Sequence, residues 1–248
     1  MKPERETERP QPRDMSADVA REIHARAPGL HGRRRGRKLS AHRASLLATL
    51  FPRLSLDLAQ ASADPAGLFP NRPSALWLDI GFGGGEHLAA EASRHPDVGY
   101  IGCDIFLNGI AKALALIEAH QLCNVRIYNG DARVIIGALP AESLNGTCLL
   151  YPDPWPKRRH RARRFLSSKM LAQLARVMRP GAELRFATDI DDNAAWTLAR
   201  VLRLPGFIWA PLDASDWQKP WEGWTGTRYE AKARRAGRRP VYLTFRRK

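Results

Sequence analysis

Residues 75–86 read Ala-Leu-Trp-Leu-Asp-Ile-Gly-Phe-Gly-Gly-Gly-Glu. The first six residues are an apolar run typical of a buried strand, and the glycine-rich run over residues 81–85 ends it. Glycines allow a tight turn and a close approach of backbone to a ligand. A helix is predicted from about Glu86. A strand, a glycine-rich turn and a helix in this order open a doubly wound α/β sheet.

Strand and helix patterns alternate along the rest of the chain. Helices are predicted near residues 110–117, 164–178 and 193–202, and further strands over residues 99–104, 124–128, 147–151, 183–187, 206–211 and 240–246. This alternation predicts one α/β domain built on a doubly wound, mostly parallel sheet. The three tryptophans within residues 217–224 are expected to form a small satellite core in an irregular loop rather than a platform for bases.

The charge of the chain points to a polyanionic partner. The 248 residues carry a net charge of +15, with 40 lysines and arginines against 25 acids. The excess lies in three runs without an acid, residues 33–38, 157–164 and 232–248. Such runs favour nucleic acid or an anionic membrane surface. Because the runs lack an amphipathic apolar face, the membrane surface is disfavoured. Residues 1–31 carry six acids and six bases and are predicted to be a mobile tail.

The remaining composition indicates a cytoplasmic protein without a metal. No apolar run approaches the roughly 20 residues that span a bilayer, and the N-terminal residues lack the apolar core of a signal peptide. Cys103, Cys123 and Cys148 form no CxxC pair, so they are interpreted as small apolar residues in a reducing compartment. No arrangement of histidines and cysteines predicts a metal site.

Residues 151–157 read Tyr-Pro-Asp-Pro-Trp-Pro-Lys and follow the apolar run of the fourth predicted strand. Prolines fix φ and favour an extended conformation in the preceding residue, so Asp153 is predicted to be held in a stiff loop. A fixed acid and an aromatic ring suit a flat heterocycle, and the cations of residues 157–164 suit phosphates. This combination indicates chemistry on a nucleobase. Trp155 either stacks on a base or braces the loop.

The glycine loop indicates a ligand without phosphate. A dinucleotide fingerprint requires a small residue where this chain has Glu86, and no Lys-Ser/Thr pair of a P-loop follows. S-adenosylmethionine is such a ligand. Its ammonium suits Asp79, its ribose hydroxyls suit Asp104 and its adenine amino group suits Asp131. Each acid alone is explained as well by a turn or a helix N-cap, but three acids that end successive strands predict a cofactor site.

Several segments resemble the tRNA (guanine-N7-)-methyltransferase family. They are the glycine motif at 79–85, the proline-framed motif at 151–157, residues 187–189 and 227–230, and the arginine-rich segment 32–37. The likeness covers residues 32–248. Many methyltransferases share the glycine motif, whereas the proline-framed acid followed by arginines is far more specific.

The resemblance implies a class I, Rossmann-like methyltransferase domain over residues 32–248. Its doubly wound, mostly parallel sheet would have seven strands, the last of them antiparallel. The implied activity is methyl transfer from S-adenosylmethionine to N7 of guanine in tRNA, at the variable-loop guanosine (position 46). The resemblance is to the bacterial single-chain type, which implies tRNA as the partner and no obligate protein partner.

The resemblance also assigns roles to individual residues. It assigns cofactor binding to Asp79, Gly81, Gly83, Asp104, Asp131 and Asp153, and catalysis to Asp153. It assigns contacts with the guanosine or nearby tRNA to Lys157, Asp189, Thr227, Arg228, Tyr229 and Glu230. The chain departs from the family pattern in its shorter acids Asp79 and Asp104, which preserve the charge. It also departs at Ile190 and Asn193, where the family often has Trp and Tyr.

The chemistry of guanine N7 limits what Asp153 has to do. N7 carries an in-plane lone pair and no proton, so its methylation requires alignment of nitrogen, methyl and sulfur rather than a strong base. Methylation leaves a positive charge on the purine, which a fixed carboxylate stabilises. Asp153 is therefore predicted to orient and stabilise rather than to remove a proton.

Two alternatives stay open at this point. One is methyl transfer to another nucleobase position, and the other is a non-catalytic RNA-binding protein that keeps the fold. A nicotinamide oxidoreductase is disfavoured because Glu86 stands at the position that a dinucleotide pyrophosphate requires to be small.

Overall fold

Seven strands form one sheet in the computed structural model, which describes residues 36–209, 211, 213 and 215–248. The strands are β1 (Ala75–Ile80), β2 (Val98–Asp104), β3 (Val125–Asn129), β4 (Leu144–Leu150), β5 (Met178–Thr188), β6 (Phe207–Ile208) and β7 (Val241–Arg247). The mobile tail predicted over residues 1–31 and the arginines at 33–35 lie outside the described residues.

The strand order in the sheet is β3-β2-β1-β4-β5-β7-β6. The strands β1 to β5 are parallel, and β7 runs antiparallel to both β5 and β6. The chain adds β2 and β3 on one side of β1 and then crosses back to add β4 on the other side. This confirms the predicted doubly wound, mostly parallel sheet with an antiparallel last strand. In such sheets the reversal point opens a crevice for ligands at the carboxyl ends of the strands.

Helices connect the strands and pack on both faces of the sheet. The described helices are α1 (Ala41–Thr49), α2 (Phe51–Leu54), α3 (Leu58–Ala63), α4 (Glu86–Arg94), α5 (Leu107–Ala119), α6 (Ala132–Ala138), α7 (Ser168–Val177), α8 (Asp191–Leu202) and α9 (Arg228–Arg235). Short 3-10 helices cover Pro65–Leu68, Arg158–Arg163 and Asp216–Gln218. Within the described part of the chain, no helix is long and apolar enough to cross a membrane.

Alternate residues of β1 pack on opposite faces of the sheet. Leu76, Leu78 and Ile80 belong to one apolar cluster, together with side chains from α6 and α7. Trp77 packs against a second cluster, which is built with α4 and α5. A period of two with both faces covered is the geometry of a central parallel strand. Asp79 shares the face of Trp77 and is 4% exposed, so this strand buries a carboxylate one residue before its end.

The prediction of a helix over residues 164–178 was wrong at its N-terminal end. The basic residues Arg158–Arg163 form a separate 3-10 helix, and α7 begins at Ser168. The side chain of Ser167 caps α7 by accepting a hydrogen bond from the N–H of Met170 at 3.3 Å. A serine N-cap therefore starts the helix after the cationic run rather than within it.

Two strand bounds and several helices also differ from the prediction. The strand β5 begins at Met178 because this residue pairs with Leu144, ahead of a register shift, where the end of a helix and a turn were expected. The strand predicted over residues 206–211 is limited to Phe207–Ile208. The helices α1, α2, α3, α6 and α9 were not predicted at all.

Candidate active site

A cleft of about 650 Å³ opens at the carboxyl ends of β1, β2, β3 and β4. The residues at and after the ends of these four strands line the cleft, together with Tyr229 of α9 and several residues between Ala162 and Met170, Arg163 and Arg164 among them. The site residues predicted from the sequence that line it are Gly81, Gly83, Asp104, Asp131, Asp153 and Tyr229. The reversal of strand order thus brings most of the predicted cofactor residues around one cavity.

The glycine loop after β1 needs its glycines. Gly81, Gly83 and Gly85 have φ angles of 71°, 62° and 79°, which L side chains rarely adopt. A Cβ at Gly81 would meet no atom within 4 Å, so this backbone borders open space. At Gly85, by contrast, a Cβ would lie 2.5 Å from the Cβ of Ala113 in α5. The loop therefore leaves room for a ligand at its start and packs tightly on a helix at its end.

Asp79 lies buried behind the glycine loop and pairs with His87 of α4. Its Oδ2 is 2.9 Å from Nδ1 of His87, and both side chains are less than 10% exposed. The other oxygen, Oδ1, is buried and has no hydrogen-bond partner among the residues that the structure describes. An unpaired buried acceptor is costly, so Oδ1 marks a place for a donor. Sequence analysis missed His87, whose signal was a histidine at the second position of the helix after the glycine loop.

Asp104 ties the end of β2 to the glycine loop. Its Oδ2 accepts a hydrogen bond from the N–H of Gly83 at 2.7 Å, and its Oδ1 accepts one from the N–H of Phe106 at 2.8 Å. Burial raises the pKa of the Asp104 carboxyl above its usual value, although these hydrogen bonds favour the charged form. A carboxylate oxygen can accept more than one hydrogen bond, so a ligand hydroxyl can still bind there.

Asp131 caps α6 and pairs with Arg133. Its Oδ1 accepts a hydrogen bond from the N–H of Arg133 at 3.0 Å, and its Oδ2 lies 2.6 Å from Nη2 of the same residue. The hydrogen bond to the carboxylate raises the pKa of the Arg133 guanidinium. Both side chains border the cleft. The N-cap explanation of Asp131 is therefore correct, and the same carboxylate also lies at the site.

The loop after β4 presents Asp153 from a strained backbone. Tyr151 and Trp155 have φ angles of 50° and 42°, a region that costs non-glycine residues about 1–3 kcal/mol each. Asp153 lies between them, lines the cleft and is exposed. Its carboxylate makes no hydrogen bond or ion pair with any described residue. The Trp155 ring also lines the cleft, and the guanidinium carbon of Arg163 lies 4.9 Å from the centroid of that ring.

The basic run over residues 157–164 divides into exposed cations and a buried one. Lys157 and the two arginines after it are exposed. Arg161 and Arg164 both pair with Asp192 in the first turn of α8. Arg164 borders the cleft but is only 3% exposed, because its guanidinium is held by neighbouring protein groups. The expectation that this run contacts phosphate is therefore wrong for Arg164.

The segment 227–230 forms the start of α9. The hydroxyl of Thr227 caps the helix by accepting a hydrogen bond from the N–H of Glu230 at 3.1 Å. The Glu230 carboxylate is 6% exposed, accepts a hydrogen bond from the indole N–H of Trp224 and pairs with Arg234. Trp224 packs edge-on against Trp221 with ring centroids 5.4 Å apart, in a small cluster that confirms the predicted satellite core for these two residues. The prediction was wrong for Trp217, which is exposed.

Arg228 and Tyr229 reach from α9 to the glycine loop. Nη2 of Arg228 lies 3.2 Å from Oε1 of Glu86, the first residue of α4. The Tyr229 ring lies beside Gly83 and is 49% exposed at the cleft. The segment predicted to contact the substrate therefore also contacts the loop predicted to bind the cofactor.

The other predicted substrate residues lie outside the cleft. Lys157 is exposed at the start of the basic run. Asp189 follows β5, and its Oδ2 lies 2.6 Å from Nε of Arg238. The departures from the family pattern, Ile190 and Asn193, belong to the N-terminal end of α8 and do not line the cavity.

The residues present fit S-adenosylmethionine on two observations. The unpaired Oδ1 of Asp79 is a buried acceptor that suits an ammonium group. The open space at Gly81 leaves room for a ligand against the backbone. The acids that end β2 and follow β3 add acceptors for hydroxyl and amino donors. Across the described ranges, no group of three or more histidines, cysteines and acids is placed to hold a metal ion.

Comparison with known proteins decides the family. A sequence model of a putative methyltransferase family matches residues 73–243. The tRNA (guanine-N(7)-)-methyltransferase of Nitrobacter hamburgensis is 51% identical over 217 residues, which cover 87% of this chain and 85% of that protein. The chain belongs to the tRNA (guanine-N7-)-methyltransferase family. Another relative of this name, from Rhodopseudomonas palustris strain BisB18, is 50% identical over 239 residues, which cover 96% of this chain and 94% of that protein.

Solved structures share the fold of this tRNA (guanine-N7-)-methyltransferase family member. The 16S rRNA methyltransferase KamB aligns with a TM-score of 0.50 and 19% identity, over 71% of this chain and 89% of that chain. A second structure, PH0851, aligns with a TM-score of 0.50 and 16% identity, over 75% of this chain and 46% of that chain. These likenesses concern the fold alone, and they confirm the predicted class I methyltransferase architecture.

Proposed function

We propose that this chain transfers a methyl group from S-adenosylmethionine to N7 of a guanine in tRNA, and that the target is the variable-loop guanosine. The observation that carries the proposal is the position of Asp153. Its exposed carboxylate lines a cleft whose walls include the glycine loop, and exposed cations follow it from Lys157 onward. Methyl transfer to a base in a nucleic acid requires a cofactor site, a carboxylate beside the base and cations near the phosphates. The cations are needed because they neutralise the phosphates.

The chain's own residues bind the methyl donor. When bound, S-adenosylmethionine supplies a methyl group on a positively charged sulfur. Asp79 would accept from its ammonium through the unpaired Oδ1, and Asp104, which already accepts from the N–H of Gly83, would accept from the ribose hydroxyls at the end of β2. Asp131, which caps α6 and lines the cleft, would accept from the adenine amino group. Gly81 and Gly83 let the backbone approach the ligand without a side chain between them.

The acceptor reacts without loss of a proton. Guanine N7 would bond to the methyl carbon through its in-plane lone pair as the methyl–sulfur bond breaks and its electron pair stays on the sulfur, so no residue of the chain acts as a base. The purine gains a positive charge, and the Asp153 carboxylate stabilises that charge and orients the ring for in-line attack. Tyr229 contacts the guanosine from α9, where its ring is exposed at the cleft.

The tRNA body binds through the exposed cations that follow the Asp153 loop. Lys157 and the two arginines after it contact phosphates, so we expect binding to weaken steeply with salt. Thr227 and Glu230 fix the start of α9, which brings Arg228 and Tyr229 to the substrate side of the site. Asp189 supports this side from the end of β5 through its ion pair with Arg238. The partner is tRNA, no second protein chain is required, and the place of action is the cytoplasm.

The test is methyl transfer from labelled S-adenosylmethionine to unmodified tRNA transcripts. The product is mapped by chemical cleavage at 7-methylguanosine. We expect one cleavage site, in the variable loop. The control is the same transcript with that guanosine replaced by adenosine, which should accept no methyl group.

Other outcomes would identify other functions. Labelled RNA without cleavage would place the methyl group on another nucleobase atom and contradict the assignment to N7. No transfer to any transcript, with cofactor binding still measured by calorimetry, would contradict tRNA as the acceptor. Failure to bind the cofactor as well would leave an RNA-binding protein with the same fold.

A further inference from the structure

Arg164 is a buried cation with three donors engaged. Its Nε donates to the carbonyl of Pro154 at 2.8 Å, and its Nη1 donates to the carbonyl of Asp192 at 3.3 Å. Its Nη2 pairs with the Asp192 carboxylate, and the guanidinium lies 5.3 Å from the centre of the Trp196 ring. Arginine offers a planar fork of donors that a lysine cannot reproduce.

These contacts join the Asp153 loop to α8. Pro154 directly follows Asp153, and both Asp192 and Trp196 belong to α8. The hydrogen bond with Arg164 lowers the pKa of the Asp192 carboxyl, which favours the charged form that pairs with the guanidinium. One guanidinium therefore connects the peptide after the acid to a helix that packs on the sheet.

The loop that carries Asp153 needs side-chain contacts such as those of Arg164 to hold its conformation. The prolines at 152, 154 and 156 have no N–H to donate, so the segment can form few backbone hydrogen bonds. Its start is fixed by the N–H of Tyr151, which donates to the carbonyl of Ala187 at 2.7 Å. Tyr151 and Trp155 hold positive φ angles on either side of the acid. Such strained positions persist only where surrounding contacts determine them.

We infer that Arg164 is a positioning residue, which sets the Asp153 carboxylate through the Pro154 carbonyl and makes no contact with tRNA. The inference rests on the proposed function, because it concerns the carboxylate that stabilises the methylated purine. It also separates Arg164 from the exposed cations of the basic run, Lys157, Arg158, Arg159 and Arg163. A displacement of about 1 Å at a reacting group can cost about a hundredfold in rate, so the support of the loop matters for turnover.

The test compares Arg164→Lys with the wild-type chain. The variant keeps the positive charge but loses the fork that reaches Pro154 and Asp192 together. We expect kcat for tRNA methylation to fall by about tenfold to a hundredfold. The cofactor Kd and the KM for tRNA should stay within about twofold, because neither the glycine loop nor the exposed cations are altered. Asp192→Asn, which weakens the same support from the other side, should lower kcat in the same direction.

The matched control is Arg200→Lys. The guanidinium of Arg200 lies 4.4 Å from the centre of the same Trp196 ring and donates to Ser168, but it does not touch the Asp153 loop. Its replacement should leave kcat unchanged. All assays are run well below the melting temperature of each variant, so that a loss of stability alone does not lower the rate.

A second readout does not depend on methyl transfer. The indole N–H resonance of Trp155, assigned with Trp155→Phe, should shift in Arg164→Lys and remain in place in Arg200→Lys. The indole of Trp196 should shift in both variants, since both arginines lie over its ring. If the wild-type chain fails to methylate tRNA, the proposed function is wrong, but this comparison still decides whether Arg164 holds the loop.

Three results would overturn the inference. A raised, salt-sensitive KM for tRNA with unchanged kcat in Arg164→Lys would make the residue a phosphate contact. A lowered melting temperature with unchanged kcat would make it a stabilising residue only. An unchanged Trp155 resonance would show that the loop keeps its position without the guanidinium.

Discussion

Nδ1 of His87 lies 2.9 Å from Oδ2 of Asp79, while Oδ1 of the same carboxylate has no partner among the described residues. The imidazole thus fixes one oxygen and leaves the other for a ligand. The His87 ring is itself held, since it packs 5.3 Å from the Trp224 ring. A buried pair with one vacant acceptor is the arrangement expected beneath an ammonium group.

The first prediction concerns this pair. His87→Ala leaves both oxygens of the buried Asp79 without a partner and frees the carboxylate to rotate. We expect the cofactor Kd to rise about tenfold, because an unsatisfied buried acceptor costs about 1–3 kcal/mol. Isothermal titration calorimetry measures the change.

Two variants control for this result. His87→Asn keeps a side-chain donor near the position of Nδ1 and should recover most of the affinity. His95→Ala removes an exposed histidine just after the last residue of α4 and should change nothing. If His87→Ala bound the cofactor as tightly as the wild type, His87 would not position Asp79.

The second prediction separates charge from shape at Asp153. Asp153→Asn keeps the size of the side chain and removes its charge, so the charged purine loses its stabilising partner. We expect kcat to fall by about a hundredfold, the effect of removing one electrostatic stabiliser from an active site. The cofactor Kd should stay nearly constant, which calorimetry checks beside the rate assay.

The matched control for Asp153 is Asp97→Asn. Asp97 is exposed and precedes β2, so it lies at the edge of the sheet opposite to the cleft. Its replacement should leave kcat unchanged. Wild-type turnover in Asp153→Asn would contradict the role given to the carboxylate.

Sequence predicted the sheet and the acids around the cleft for a physical reason. Each central strand is a short apolar run. A glycine, a proline or an acid follows near its end, and such residues are unfavourable in the interior of a buried strand. Asp104, Asp131 and Asp153 therefore appear in the sequence at the places where parallel strands deliver them to one edge. Their mutual proximity follows from topology, which the alternation of strands and helices already predicts.

The sequence did not predict α9 or the burial of Arg164. The helix α9 buries only Glu230 and Ala233, so it lacks the apolar stripe by which helices are recognised. Its signal was Thr227 three residues before Glu230, the spacing of a capping box. Arg164 stands in a run of like charges, and its partner Asp192 is 28 residues away along the chain. Local sequence cannot distinguish a buried cation from its exposed neighbours in such a run.

The third prediction is that the affinity for the cofactor decreases at acidic pH because Asp104 becomes protonated. We call this decrease the acid limit. Burial raises the pKa of this carboxyl above 3.8, so the folded chain keeps the proton to a higher pH than the unfolded chain does. The protonated form accepts hydrogen bonds less well, so affinity should be complete above the raised pKa and fall as the pH decreases through it. In the same window, the stability of the unliganded protein should fall as the pH rises from 3.8.

Calorimetric Kd values measured from neutral pH downward check the acid limit. Asp104→Asn should bind more weakly at every pH, because one amide oxygen replaces two carboxylate oxygens. The part of the pH dependence that belongs to Asp104 should be missing in this variant. A pH profile parallel to that of the wild type would assign the acid limit to another group.

The last prediction contrasts two neighbouring glycines. A Cβ at Gly85 would lie 2.9 Å from the backbone Cα of Ala113, and the φ of Gly85 is 79°. Gly85→Ala should lower the free energy of unfolding by more than about 2 kcal/mol, since it combines backbone strain with overpacking. A Cβ at Gly84 would meet the guanidinium at the flexible end of the Arg228 side chain. Gly84→Ala should therefore change the free energy of unfolding by less than about 0.5 kcal/mol. Denaturant unfolding measures both.

Gly84→Ala should still alter function, because the displaced Arg228 loses its ion pair with Glu86. Glu86→Gln breaks the same pair without touching the loop backbone. We expect each variant to lower kcat/KM for tRNA by a similar factor, and the double variant to do no worse than either one, because both remove a single interaction. If the two effects add, Gly84→Ala must act on the glycine loop itself. The ion pair between Arg228 and Glu86 would then not be the interaction that links the substrate segment to the cofactor loop.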